Sequence, residues 1–158
     1  MLQNAFKALI LAIFFLEPTN ALTHKQIRTI KLCYKVGSKY GLGNTLAGIC
    51  WVESQGGKYL LNQTTEDYGI AGINIKTALA YLKEPDTYWN RIKVASKLVR
   101  DDRLVLKIAI HELIKWRKKK KIWFEYVSAY NRGWVGSYEY ARKVSKAIKF
   151  LKRKGVIK

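Results

Sequence analysis

The sequence predicts a mainly α single domain with one long irregular loop, within which a short β-hairpin fits. Three observations predict it. Apolar residues recur at helical spacing along most of the chain. Residues 55–74 interrupt that pattern with Gly, Asn, Gln and Thr. The length, 158 residues, suits one compact domain, and neither an internal repeat nor a linker divides it. With 49% hydrophobic and 13% aromatic residues the chain can build a core, so charge-driven disorder is excluded despite 30 Lys+Arg against 11 Asp+Glu. Two prolines and the lack of Ser- or Gln-rich tracts exclude a low-complexity chain. The net charge of +19 predicts a polyanionic partner: nucleic acid, an acidic membrane or an anionic cell wall.

Residues 1–21 have the layout of a secretory signal peptide. Lys7 is the only basic residue, Ala8 to Leu16 are apolar, Glu17-Pro18 ends the run, and Ala21 offers a small residue for cleavage. Nine apolar residues are too few for a spanning helix, which needs roughly 20. A retained anchor and a buried N-terminal helix are the alternatives. The mature domain is then 22–158, exported to the periplasm or secreted. Export would let Cys33 and Cys50 form a disulfide, because Gly41-Leu42-Gly43 separates two helical patterns and the cysteines lie nearly symmetrically about it. Two buried free thiols fit the same spacing.

The elements follow in order. Ile27, Ile30 and Tyr34 mark a first helix, and Asn44 reads as the N-cap of a second, Thr45 to about Ser54, stopped by Gly56-Gly57. After the loop, Thr77 to Leu82 resumes helix until Glu84-Pro85-Asp86. Trp89, Ile92 and Val99 mark the next. Leu106, Ile110 and Leu113 mark another, apolar on its other faces too and so expected at the centre. Trp123 to Tyr130 is short and ends at Asn131-Arg132-Gly133. Tyr138, Ala141, Val144, Ile148 and Leu151 give an amphipathic C-terminal helix.

Glu53 is the candidate for chemistry. It shares one face of the second helix with Leu46, Ile49 and Cys50, at the helix C-terminus. Desolvation and the helix dipole both disfavour its ionised form. A carboxylic acid held protonated near neutral pH is what a glycosidase general acid requires. The plainer alternative is a boundary Glu turned to solvent and satisfied by Lys58. Asp67 to Asn74 alternate Gly with other residues, which would let backbone approach a ligand. Ser128 to Gly133 is a helix end carrying Tyr130 and Asn131.

In combination, Glu53-Ser54-x-Gly56-Gly57, Tyr68-Gly69-Ile70-x-x-Ile73-Asn74 and Ala129-Tyr130-Asn131-x-Gly133, in this order in a helical chain, resemble the lytic transglycosylase family related to goose-type lysozyme. The resemblance spans Ile49 to Lys58, Asp67 to Leu82 and Trp123 to Val144. It implies a lysozyme-like fold and cleavage of the β-1,4 bond between N-acetylmuramic acid and N-acetylglucosamine in peptidoglycan. Glu53 would protonate the leaving oxygen and then, as carboxylate, take the proton of the muramic acid 6-hydroxyl to close a 1,6-anhydro ring, with no metal and no cofactor. By the same resemblance Ser54, Tyr68, Gly69, Ile70, Tyr130 and Asn131 bind substrate, Tyr130 near the acid and Asn131 at the N-acetyl group. Gly72 departs from the family pattern, standing where a Gln is usual.

The implied partners are peptidoglycan strands and anionic cell-surface polymers. Export argues against nucleic acid, and a monomer is expected. The small size fits a phage endolysin or a secretion-system accessory. A hydrolytic muramidase would need a second carboxylate, for which Glu66 and Asp67 are the loop's candidates. A basic wall- or nucleic-acid-binding protein is the alternative of another class. Lys118 to Lys121 reads as a solvated helix end, with contact to anionic wall as its functional reading. His111-Glu112 fails as a zinc motif because Lys115 replaces the second His, which leaves His111 a core or boundary residue. Asp86, Asp101 and Asp102 read as cap or turn residues.

Overall fold

A computed structural model describes residues 21–158. The expected export signal therefore lies outside the described residues, except for Ala21. Among the described residues the chain forms seven helices and a three-stranded sheet: α1 (His24–Ser38), α2 (Gly43–Ser54), β1 (Leu61–Asn62), β2 (Asp67–Tyr68), β3 (Ile73–Asn74), α3 (Ile75–Leu82), α4 (Tyr88–Arg100), α5 (Asp102–Lys119), α6 (Trp123–Arg132) and α7 (Tyr138–Arg153). The expectation of a mainly α chain holds.

Local chemistry sets most helix starts. Thr23 and Gln26 exchange side chain-to-backbone bonds in a capping box before α1. Asn74, Thr87, Asp101 and Ser137 each accept a backbone N–H in the first turn of α3, α4, α5 and α7. Each such cap contributes about 1 kcal/mol. Asn44 is not the cap expected of it. Helix α2 begins two residues earlier than expected, at Gly43, and Leu42 precedes it with no side-chain cap.

Helix α5 is the centre, with Val105, Leu106, Ile108, Ala109 and Leu113 fully buried. Helices α1 and α7 pack on α2, α6 packs on α5 and α7, and α4 bridges α3 to α5. Between α2 and α6 the Trp123 indole donates to Thr45 Oγ1 at 2.9 Å. Two expected faces are corrected. On α4 the core takes Val94 and Leu98, while Trp89 is 75% and Ile92 47% exposed. This helix carries apolar residues on more than one side, and the packing of α3 and α5 buries the side of Val94 and Leu98. On α7 Tyr138 is exposed, and Tyr140 joins Ala141, Val144, Ala147 and Leu151 inside.

The loop holds more order than one hairpin. Its strands pair antiparallel in the order β1-β2-β3, with Leu61 opposite Tyr68 and Tyr68 opposite Ile73. Arg91 of α4 fastens it, donating to both Glu66 carboxylate oxygens at 2.7 and 2.8 Å and also to Asp86. Asp86 is thus an ion-pair partner of Arg91 rather than a cap. Gly69 has φ +79, and a Cβ there would stand 2.5 Å from Val105 Cγ2 and 2.6 Å from the Leu98 carbonyl oxygen. The closeness of this glycine serves packing of the loop onto α4 and α5.

Candidate active site

Helix α2 delivers Glu53 to the floor of a cavity of about 590 Å³. Sheet residues Asp67, Ile73 and Asn74 form one wall, Glu112, Lys115 and Trp116 of α5 another, and the α6 end from Ala129 to Gly133 a third. Glu53 is half-buried. Tyr140 of α7 donates its hydroxyl to Glu53 Oε1 at 2.5 Å. Burial pushes the Glu53 carboxyl up from 4.5 to about 7, and the negative charge of Asp67 adds to this, while the Tyr140 hydrogen bond opposes it. A carboxyl raised toward neutrality in this way can both give and receive a proton. Lys58 does not satisfy it: that ammonium lies over the Tyr59 ring, 4.9 Å from its centre.

Gly72 explains itself against Glu53. Its φ is +58, and a Cβ on it would stand 2.5 Å from Glu53 Oε2 and 2.8 Å from Cδ. The backbone runs so close to the carboxyl that no side chain fits between them. The position where the resembling family carries Gln is here filled by main chain.

Of the residues singled out in the sequence, the cavity brings together Glu53, Tyr130 and Asn131. Tyr130 donates its hydroxyl to the Ala71 carbonyl at 2.9 Å, holding α6 against the loop beside the acid, and burial raises its phenol well above the usual range. Ser54, expected at the substrate, is instead completely buried. Its hydroxyl lies 2.9 Å from the Cys50 and Ile70 carbonyl oxygens and accepts from the Gly57 N–H. It clamps the loop to the helix end, where a buried hydroxyl must be paired. Gly69 and Ile70 are likewise buried, and Tyr68 packs against the core outside the cavity lining. These four position the loop and do not face the cavity.

Sequence reasoning missed Tyr140, Glu112 and Trp116. A tyrosine on the buried stripe of an amphipathic helix needs an acceptor for its hydroxyl, and that signal was present at position 140. Glu112 has a side chain only 15% exposed and pairs with Lys115 at 2.5 Å. Of the two loop acids, Asp67 lines the cavity and accepts from Thr65 Oγ1 at 2.6 Å and Asn74 Nδ2 at 3.1 Å, whereas Glu66 is engaged by Arg91. His111, expected in the core or at its boundary, is exposed and meets the Tyr81 ring edge-on at 5.0 Å. The Lys118 to Lys121 run is solvated only in part. Lys119 and Lys120 stand 5.3 and 5.2 Å from the Trp134 ring centre, and Trp134 meets Trp116 edge-on at the cavity rim.

Cys33 and Cys50 face each other between α1 and α2, both buried and unbridged. Burial and the neighbouring Cys33 push the Cys50 thiol up. Among the described residues no cluster of His, Cys, Asp and Glu suits a metal ion, and no helix is long and apolar enough to cross a membrane. The chain matches no protein-family model, no curated protein and no solved structure.

Proposed function

We propose that the protein is an exported peptidoglycan-cleaving enzyme, a lytic transglycosylase of lysozyme-like architecture that cuts between N-acetylmuramic acid and N-acetylglucosamine. One observation carries the reading: the Glu53 carboxyl at the cavity floor, raised by burial to about 7 and held by the Tyr140 hydroxyl. Glu53 protonates the glycosidic oxygen as its bond to C1 breaks. The resulting carboxylate takes the proton from the muramic acid 6-hydroxyl, O6 bonds to C1, and the 1,6-anhydro ring closes without consuming water. Glu53 ends protonated, ready for another cycle. Tyr140 supports the carboxylate stage, since its O–H donates most strongly to an ionised acceptor. Asn131, in the cavity wall, contacts the sugars.

A hydrolytic reading also has support, because Asp67 and Glu112 line the same cavity. Either would act as a base on water if its carboxylate stood roughly 6.5–9.5 Å from the acid across the scissile bond. Mass spectrometry of digested peptidoglycan separates these readings. Anhydro ends, one water lighter, support the transglycosylase, and hydrated ends support the muramidase. Intact strands after incubation with folded protein would refute both.

A further inference from the structure

The acids of this chain are unevenly placed. Residues 21–52 contain five Lys or Arg and no Asp or Glu, and residues 140–158 contain eight and none. Helices α1 and α7 both pack on α2, so these two stretches lie side by side. Where they meet are two adjoining hollows of about 860 and 1050 Å³ that share Trp51, Gln55, Phe150 and Arg153. Lys143, Lys146, Lys149 and Lys152 line one, and Lys25, Lys58 and Lys154 the other. Among the described residues no Asp or Glu lines either hollow, and Glu139 is committed to Lys143 at 3.0 Å. The Glu53 cavity shares no lining residue with them.

We propose that this double hollow is a second binding site, for a flexible phosphate-bearing polymer whose repeating units carry no planar bases, such as a phosphodiester-linked polyol or sugar chain. Three features select that class. Cations gathered in a row, of which only Lys143 is paired to an acid among the described residues, attract a polyanion through release of its counterions. Lys143 to Lys152 run along about 13 Å of α7, and the two hollows join through four shared residues, a line of charge that follows a strand. The aromatic pair in its floor, Trp51 and Phe150, is packed ring against ring at 5.1 Å and tilted by 33°, both rings half-buried. Sequence-tolerant binding of nucleic acid stacks bases on open ring faces. Here one side of each ring packs against the other, and the Lys154 ammonium stands 5.9 Å from the Phe150 ring centre, where a base would have to stack. The site would tether the protein to an anionic surface polymer while the Glu53 cavity stays free, and so it extends the proposed function without depending on it.

The test measures binding of the full chain to long-chain inorganic polyphosphate across a salt series. Wild type and Glu53→Gln should bind equally, which keeps this site separable from the catalytic reading. The triple variant Lys146→Gln, Lys149→Gln, Lys152→Gln removes three exposed cations of this line. It should bind at least about tenfold more weakly, with the slope of log K against log salt reduced by about 2. The control Lys97→Gln, Lys107→Gln, Lys118→Gln removes the same charge elsewhere and should leave more than half of that slope change undone. Equal losses in the two triple variants would overturn the site. A thymidine oligonucleotide of matched phosphate count bound more than tenfold tighter than polyphosphate would overturn the polymer class. Binding only to vesicles containing phosphatidylglycerol, with none to polyphosphate, would overturn it in favour of a membrane surface.

Discussion

Replacing Glu53 with Gln should stabilise the protein at alkaline pH while removing its chemistry. The folded carboxyl keeps its proton up to about 7, whereas an unfolded chain releases it near 4.5. Between those values the unfolded state binds fewer protons than the folded one, so stability falls as pH rises. Above about 7 the loss is complete. The interval corresponds to a ceiling near 3 kcal/mol. Water in the cavity reaches one side of the carboxyl, so the expected loss is about 1–3 kcal/mol. Gln has nearly the same shape, still accepts from Tyr140, and has no proton to lose. The Tm of Glu53→Gln minus that of wild type should therefore widen by several degrees between about pH 4.5 and about pH 8, at roughly 2–4 °C per kcal/mol. Cleavage should fall by about 10²–10⁴-fold. Thermal unfolding of both proteins across pH, followed by circular dichroism, is the assay. Parallel Tm curves would refute the assignment of a raised carboxyl, whatever happened to activity.

Tyr140→Phe removes the donor that favours the ionised acid, so the Glu53 carboxyl should rise further and the alkaline limb of the pH–activity profile should move to higher pH. A limb that moved down would contradict the geometry. Gly72→Ala places a methyl group against the Glu53 carboxyl at a backbone angle that disfavours side chains, and should lower stability by about 1–3 kcal/mol in thermal unfolding. An unchanged Tm would mean that the loop backbone does not run against the acid. Protein made by export should show no free thiol on denaturation without reductant, since Cys33 and Cys50 face each other across a 17-residue interval whose closure contributes about 3 kcal/mol. Two titratable thiols would mean that the pair stays reduced. Ser54→Ala should destabilise the fold by about 1–3 kcal/mol by leaving the Gly57 N–H and the Ile70 carbonyl less well paired, with a smaller effect on turnover than Glu53→Gln. An equal loss of turnover at full stability would put Ser54 back at the substrate.

The helices were legible in the sequence because most are written locally: an amphipathic stripe, and at five of the seven described starts a capping side chain. Helix α5 shows this most fully, since apolar residues on several faces can only mean a central position. Glu53 was legible for the same reason, as a carboxylate closing an apolar stripe at a helix end. Where local signals were balanced, only the tertiary structure could decide. Helix α4 has apolar residues on more than one side, and its neighbours, not its composition, bury Val94 and Leu98 and leave Trp89 in water. Ser54 and Gly69 carry the same letters whether they touch a sugar or lock a loop. Their burial depends on Ile70, Val105 and Leu98, which are distant in sequence. Tyr140 reaches Glu53 across 87 residues, and no spacing rule spans that distance. The pairing of a polar side chain across the core is a property of how helices cross, and helix crossing is set by the sum of many weak contacts rather than by any one segment.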